Sequence, residues 1–332
     1  EAEEAIRMAK LLEVKDLVMY YSTMKGDVKA VDDVSFSLEK GESIGLAGES
    51  GCGKSSVALA LMKLYPSNAR IIKGEVLLDG ENILNMDDDE IRREVRWKKI
   101  SMVPQASMNA LNPVFTIKDQ IIEAILTHED VSEKEAEERT VELLKRVGID
   151  SSRINSYPHE FSGGMKQRAM MAMALVCHPD IVIADEPTTA LDVIVQAQVL
   201  KEIKKLQKEL GLSMVLISHD LSVVAETCEK TVIMYAGNIV EDASTLEIFR
   251  HPLHPYSIGL IGAFPKLTGK KKRLESIKGN PPNLLNPPTG CRFHPRCPHA
   301  KDVCKTTVPH LEEVHKGHKA ACHMVNKHPE YR

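Results

Sequence analysis

Gly48-Glu49-Ser50-Gly51-Cys52-Gly53-Lys54-Ser55 fits the pattern G-x-x-x-x-G-K-[ST]. Each residue type has a physical reason to stand there. Glycines let successive backbone N–H groups curl around a phosphate chain. Ser43–Ala47 just before the segment is short and apolar and predicts a strand that runs into the loop. A helix is expected to begin near Lys54, which turns its positive end toward the anion. Lys54 adds a point charge for the β and γ phosphates of a nucleotide, and the Ser55 hydroxyl can ligate Mg²⁺. Gly48, Ser50, Gly51, Cys52, Gly53, Lys54, Ser55 and Ser56 are thus the candidate phosphate ligands. A glycine-rich turn with an incidental lysine would explain the loop alone, but not the strand before it and the helix after it.

A second apolar run, Ile181–Ala184, suits a buried parallel strand and ends in Asp185-Glu186. An acid at the carboxyl end of such a strand can reach the Mg²⁺ shell, which is the role expected of Asp185. Glu186 is the candidate general base for an attacking water. Outward from these two sites, Leu11–Tyr21, Val31–Leu38, Gly74–Leu78 and Ser213–Ile217 read as strands, and Asp79-Gly80 as a turn. Thr231–Ala236 and Ile239–Glu241 make a hairpin around Gly237-Asn238. Val193–Leu210 is a long amphipathic helix stopped by Gly211. Ser132 with Glu135 fits a capping box, followed by Val141, Leu144 and Val147 on one helical face and Gly148 at its end. Strand, helix, strand in this order means an α/β core with a largely parallel sheet, and residues 105–177 have the character of a helical insert.

Ser162-Gly163-Gly164-Met165-Lys166-Gln167-Arg168 opens a further helix, and a serine with two glycines at a helix start is a second anion site. With the phosphate loop upstream and Asp185-Glu186 downstream, the chain resembles the ATP-binding subunits of ABC transporters over roughly residues 11–250. The resemblance implies a P-loop ATPase core with an antiparallel β subdomain and a helical insert. It implies that Gln105, in Val103-Pro104-Gln105, stands in the Q-loop beside Ser55 and Asp185 around Mg²⁺. Ala190-Leu191-Asp192 matches the D-loop, and His219 matches the switch histidine near the γ-phosphate. Tyr21 stands where the family stacks an aromatic ring on adenine, with Tyr20 as the alternative. Three departures stand out: Met165 in place of glutamine, Thr189 in place of serine, and Pro104 where an aromatic is common. None removes a catalytic group. In the family, ATP lies between the loop of one subunit and the signature helix of another. Ser162, Gly163 and Gly164 would therefore complete the cage in trans, in a head-to-tail dimer with an identical or related subunit.

Past residue 250 the texture changes, and seven of the thirteen histidines lie between His294 and His328. Cys291, Cys297, Cys304 and Cys322 crowd this segment, whereas Cys52, Cys177 and Cys228 are scattered and read as packing residues. Four thiolates suit Zn²⁺ or a [4Fe–4S] cluster. Structural zinc usually takes short C-x₂₋₄-C knuckles, which are absent, and the wider spacing is easier to reconcile with a larger cluster; both remain open on chemistry alone. His254-Pro255-Tyr256, the Pro-rich Gly279–Gly290 link and Gly290-Cys291…Pro295-Arg296-Cys297-Pro298 look like the C-terminal extension of dipeptide and oligopeptide importer ATPases. Some members of that group bind an iron–sulfur cluster through these four cysteines, so the resemblance implies a small irregular metal-cluster domain at residues 251–332.

Composition narrows the rest. Lys+Arg 43 against Asp+Glu 47 gives a net charge of -4, without the basic excess of a general nucleic-acid binder. No apolar run reaches membrane-span length, and no export signal opens the chain. Residues 1–10 are expected to form a flexible N-terminus, with Met8 as the candidate native start. The expectation is an ATPase on the cytosolic face of the membrane that powers dipeptide or oligopeptide import. Its expected partners are two membrane permease subunits and an extracytoplasmic peptide-binding protein, with no nucleic acid. A nickel importer ATPase shares much of the pattern. A soluble ABC ATPase acting on ribosomes or DNA is a reading of another class, disfavoured by the single cassette and the lack of a long coiled-coil insert. An iron–sulfur redox protein with an ATP-driven partner is a third, and terminal cysteines speak against it.

Overall fold

A computed structural model of the chain describes residues 10–105, 110–189, 191–263 and 277–325. In chain order the strands are β1 (Lys10–Thr23), β2 (Gly26–Glu39), β3 (Ser43–Ala47), β4 (Ala69–Leu78), β5 (Glu81–Asn82), β6 (Ile100–Val103), β7 (Ile181–Asp185), β8 (Ser213–Ser218), β9 (Lys230–Tyr235), β10 (Asn238–Ser244), β11 (Glu312–His315) and β12 (His318–Ala320). The main helices are α1 (Lys54–Leu61), α2 (Ile117–His128), α3 (Glu133–Arg146), α4 (Gly163–Leu175), α5 (Val193–Leu210), α6 (Leu221–Thr227), α7 (Thr245–Arg250), α8 (Pro255–Gly262) and α9 (Asp302–Thr306). They group into two compact units. One contains Glu39–Glu42 and Asn85–Ile217, and the other Lys10–Leu38, Ser43–Leu84 and the chain from Ser218 onward.

In the first unit β6, β7 and β8 pair in parallel, with Ile181 opposite both Ile100 and Ser213. All five residues of β7 are buried, which is why the first four, Ile181–Ala184, are continuously apolar rather than alternating. α2, α3 and α4 supply the helical insert. Thr116 caps α2 by accepting from Asp119 N–H, and Ser132 caps α3 by accepting from Glu135 N–H. The buried face of α3 is Ala136, Thr140, Leu143 and Leu144. Val141 is only half-buried, so the expected face is displaced: Leu143 takes its place beside Leu144, and Val147 is buried just past the helix end. α5 spans the residues read from sequence. Its N-cap Asp192 accepts from Ile194 and Val195 N–H, and Gly211 ends it in the left-handed region (φ 63°).

In the second unit β2, β1, β4 and β5 form one sheet in that order. β1 and β4 are antiparallel, and the register shifts between Lys15 and Val18, where Asp16 has φ 47°. This bulge lets β4 extend from Ala69, five residues before the expected start at Gly74. β3 pairs in parallel with β9, and β9 turns into antiparallel β10 through Ala236-Gly237, one residue earlier than expected. The chain after residue 250 is built into this unit. β12 pairs with β10 and β11 with β12, and Tyr235, Tyr256 and Phe293 pack ring on ring at 4.6–5.4 Å between centroids. All three rings are essentially inaccessible to solvent. Such aromatic burial gives a segment poor in aliphatic residues its anchorage.

Candidate functional site

The phosphate loop leaves β3 and enters α1, as its sequence requires. Gly53 is the N-cap of α1 with φ 107°, a backbone conformation that side chains rarely adopt, and a Cβ there would lie 2.1 Å from Ala30 O. Gly48 is equally confined: a Cβ would lie 2.2 Å from Met234 O. The loop is therefore wedged between β2 and the β9–β10 turn, and Gly237 N–H donates to Cys52 O at 2.8 Å. Lys54 is 5% exposed, and its ammonium donates to Gly48 O at 2.8 Å and Glu49 O at 3.1 Å. It also lies 3.6 Å from Cys52 Sγ. Cys52 is buried, and burial raises its thiol pKa, so it stays neutral beside the lysine.

The end of β1 meets the same helix. The Tyr21 hydroxyl donates to Ser56 Oγ at 3.1 Å, which ties this half-buried ring to α1. Tyr20 turns the other way along the strand and donates to Asp32 Oδ1 at 2.9 Å. Of the two aromatics, Tyr21 is the one held at the loop helix.

In the first unit, Asp185 is buried at the end of β7. Glu186 follows with φ 48°, and its N–H donates to Ile217 O at 2.9 Å. A left-handed conformation costs a non-glycine residue roughly 1–2 kcal/mol, and strain of this kind concentrates at functional positions. The carboxylate is held twice: Gln105 Nε2 donates to Glu186 Oε2 at 3.3 Å and Thr189 Oγ1 to the same oxygen at 2.9 Å. Gln105 is thus brought to Glu186. Thr189, read from sequence only as a departure from serine, proves to be a direct ligand of the acid; its place three residues after Glu186 was the available signal. Ser162 caps α4, its hydroxyl accepting from Met165 N–H at 3.4 Å. Ser162 is exposed, and Gly164 is buried where a Cβ would lie 2.5 Å from the Val195 side chain, so α4 and α5 pack closely at that point. His219 is exposed after β8. Ala190 lies outside the described residues, as do residues 1–9.

Cys291, Cys297, Cys304 and Cys322 line one small cavity, together with His254, Phe293 and His294. Burial and the neighbouring thiols push the Cys291 pKa up to about 12 and that of Cys297 to about 11, and burial raises Cys322 as well. Among the described residues, however, no group of three or more His, Cys, Asp or Glu side chains is gathered closely enough to hold a metal ion. Cys177 and Cys228 are buried, in keeping with packing. Among the described residues no helix is long and apolar enough to cross a membrane.

Comparison with known proteins places these features. The family described as ABC transporter matches residues 31–189, and the C-terminal region of oligopeptide/dipeptide transporters matches residues 240–304. The oligopeptide transport ATP-binding protein OppD of Escherichia coli is 47% identical, covering 94% of this chain and 92% of that protein. The chain belongs to the ATP-binding proteins of the ABC oligopeptide and dipeptide transporter family. It is an ATPase of that family. The dipeptide transport ATP-binding protein DppD of Bacillus subtilis is 42% identical, covering 98% of this chain and 97% of that protein. Among solved structures, the ATP-binding cassette MJ0796, captured as a dimer with ADP and Pi, superposes with a TM-score of 0.63 at 28% identity, covering 70% of this chain and 98% of that one. CbiO1 of Clostridium perfringens, part of an ABC transporter complex, gives 0.63 at 25% identity, covering 73% and 91%. The fold is the P-loop ABC ATPase fold.

Proposed function

We propose that this subunit hydrolyses ATP to drive uptake of dipeptides or oligopeptides through a membrane transporter. The observation that carries the hydrolytic half is the seating of Glu186, a carboxylate fixed by Gln105 and Thr189 at the end of a buried strand. Lys54 and the loop amides hold the β and γ phosphates, and Tyr21 stacks on the adenine. By resemblance to the family, Ser55, Gln105 and Asp185 would be the oxygen donors to Mg²⁺, and the ion would supply charge neutralisation on the phosphate oxygens. Glu186 would accept a proton from the attacking water, and His219 would serve the γ-phosphate as the family's switch histidine does. Ser162, Gly163 and Gly164 act on the nucleotide of a second ATPase subunit, identical or related, and hydrolysis separates the two. Val114 and Phe115, exposed at 70% and 51% at the start of the helical insert, suit contact with permease subunits at the cytoplasmic membrane face, with a peptide-binding protein on the far side. Reconstitution with the permeases and binding protein in vesicles tests the reading: ATP-dependent uptake of labelled peptide supports it, and uptake of nickel ion instead would replace it.

The cysteine cavity is proposed to hold a [4Fe–4S] cluster within residues 251–332. Thiols that resist ionisation when buried become thiolates only beside a cationic partner, and all four line the same cavity. Zn²⁺ held by the same four sulfurs is the alternative. Anaerobic purification with iron, sulfide and zinc analysis decides: iron and sulfide near four per chain support the cluster, and stoichiometric zinc in their place excludes it.

A further inference from the structure

The phosphate loop is gripped by the cysteine-rich segment through a pair 247 residues apart in sequence. Arg296, immediately before Cys297, donates from Nη1 to Glu49 Oε2 at 2.6 Å and from Nη2 to Glu49 Oε1 at 3.0 Å. Glu49 is the second residue of the loop. The guanidinium is itself fixed. Its Nε donates to Lys278 O at 3.0 Å, Nη1 also reaches the Tyr235 hydroxyl at 3.3 Å, and the group lies 5.7 Å from the centre of the Tyr235 ring. The Arg296 side chain is only 5% exposed and that of Glu49 28%. A second hold comes from Tyr256 in α8, whose buried hydroxyl accepts from Glu49 N–H at 2.8 Å. Tyr256 in turn packs on Phe293, two residues after Cys291.

The chemistry of the loop gives this pair a purpose. A phosphate loop works by presenting N–H groups and one lysine to a polyanion, and a bare carboxylate among its residues opposes that. Arg296 cancels the Glu49 charge through a two-pronged contact, the strongest geometry available to a carboxylate. It also fixes the residue whose carbonyl receives Lys54. Removing the arginine would leave a poorly hydrated anion on the loop itself.

We infer that Arg296 is a positioning residue for the nucleotide, which it serves by holding Glu49 and neutralising it. This rests on the reading that the Lys54 loop binds ATP. The test uses the full chain carrying Arg296→Met, Glu49→Gln, or both, with Arg296→Lys as the conservative variant and Lys305→Met as a surface control. MgATP affinity is measured by equilibrium titration, and hydrogen exchange of the Glu49–Ser55 amides is followed without nucleotide. Arg296→Met is expected to weaken MgATP binding roughly tenfold, as one uncompensated charge near the phosphates would. Arg296→Lys falls between, and Lys305→Met matches the parent. Adding Glu49→Gln to Arg296→Met restores affinity to within about threefold, because the repelling charge is gone. A general loosening of the segment would not be rescued in this way. Loop amides exchange faster in Arg296→Met, a result that stands whether or not the loop binds ATP. Unchanged exchange in Arg296→Met, or a double variant that binds MgATP no better than Arg296→Met, overturns the inference. A parent chain that fails to bind MgATP overturns the ATP reading instead, and the exchange result then decides the anchoring alone.

Discussion

Replacing Gly53 by alanine separates two costs that the structure prices differently from those at Gly51. At Gly53 the backbone has φ 107°, and a Cβ would lie 2.1 Å from Ala30 O and 3.3 Å from Ala30 C. A real Cβ keeps beyond 3.0 Å of such an atom, so either β2 or the loop must move by about 1 Å. Strain in this region adds roughly 1–3 kcal/mol. Gly51 has φ 78° with nothing within 4 Å of the added atom, so alanine there meets only a backbone cost of roughly 1–2 kcal/mol. A 1 Å misplacement of groups that position a substrate can cost about 100-fold in rate. Gly53→Ala should therefore lower ATPase kcat/KM by about 100-fold and MgATP affinity alongside it, while Gly51→Ala loses on the order of tenfold or less. Steady-state ATPase assays and nucleotide titration of both variants, with thermal unfolding to confirm that each is folded, read out the difference. Equal losses in the two variants would refute the steric argument, and so would a Gly53→Ala enzyme with normal affinity.

Thr189→Val keeps the branched side chain but removes the 2.9 Å donor to Glu186. An exposed charge-assisted bond of this kind is worth about 1 kcal/mol, so kcat should fall roughly fivefold with KM unchanged, and a change confined to KM would count against the role given to Thr189. Glu186→Gln should bind MgATP and stall as a stable complex with its partner subunit, seen by size-exclusion chromatography with light scattering; normal turnover would remove Glu186 from the base role. Burial pulls the His254 imidazole down to about 4, while an unfolded histidine titrates near 6.5. Between these values the unfolded chain binds a proton that the native chain refuses, so stability falls on acidification and the contribution lost at pH 5 is about 2 kcal/mol. His254→Asn, which can still accept from Tyr256 N–H, should flatten the fall of the melting temperature between pH 7 and pH 5; an unchanged slope would assign it to other groups.

Much of the site was legible because its signals are local. The loop, the strand before it and the acids after Ile181–Ala184 are each specified within a few residues. So is α5, which runs from an aspartate cap to a left-handed glycine over 18 residues. The face of α3 was misread at Val141 because apolar residues at 141, 143, 144 and 147 fit two neighbouring stripes, and only packing against the rest of the insert selects Leu143. β11 and β12 escaped notice because Glu312–His315 and His318–Ala320 are short and polar and become strands by pairing beside β10. The same non-locality hides the contact between Arg296 and Glu49. Nothing around either residue names the other, and both join only when Phe293 and Tyr256 pack under the β9–β10 hairpin. Thr189 shows a milder case. Its hydroxyl was visible beside Glu186 in sequence, but the strained φ of Glu186 that turns the carboxylate toward it was not.

The proposed head-to-tail assembly requires Ser162 to serve a nucleotide held by a second subunit. Ser162→Asp retains a good helix cap while adding a charge that would repel a phosphate it touched. The decisive quantity is the MgATP dissociation constant of this variant at a concentration where sedimentation shows single chains. It should equal the parent's within about twofold, even though the assembled transporter loses ATPase activity. A tenfold or greater loss of affinity in the lone chain, like that expected of Lys54→Met, would mean that Ser162 closes over its own loop.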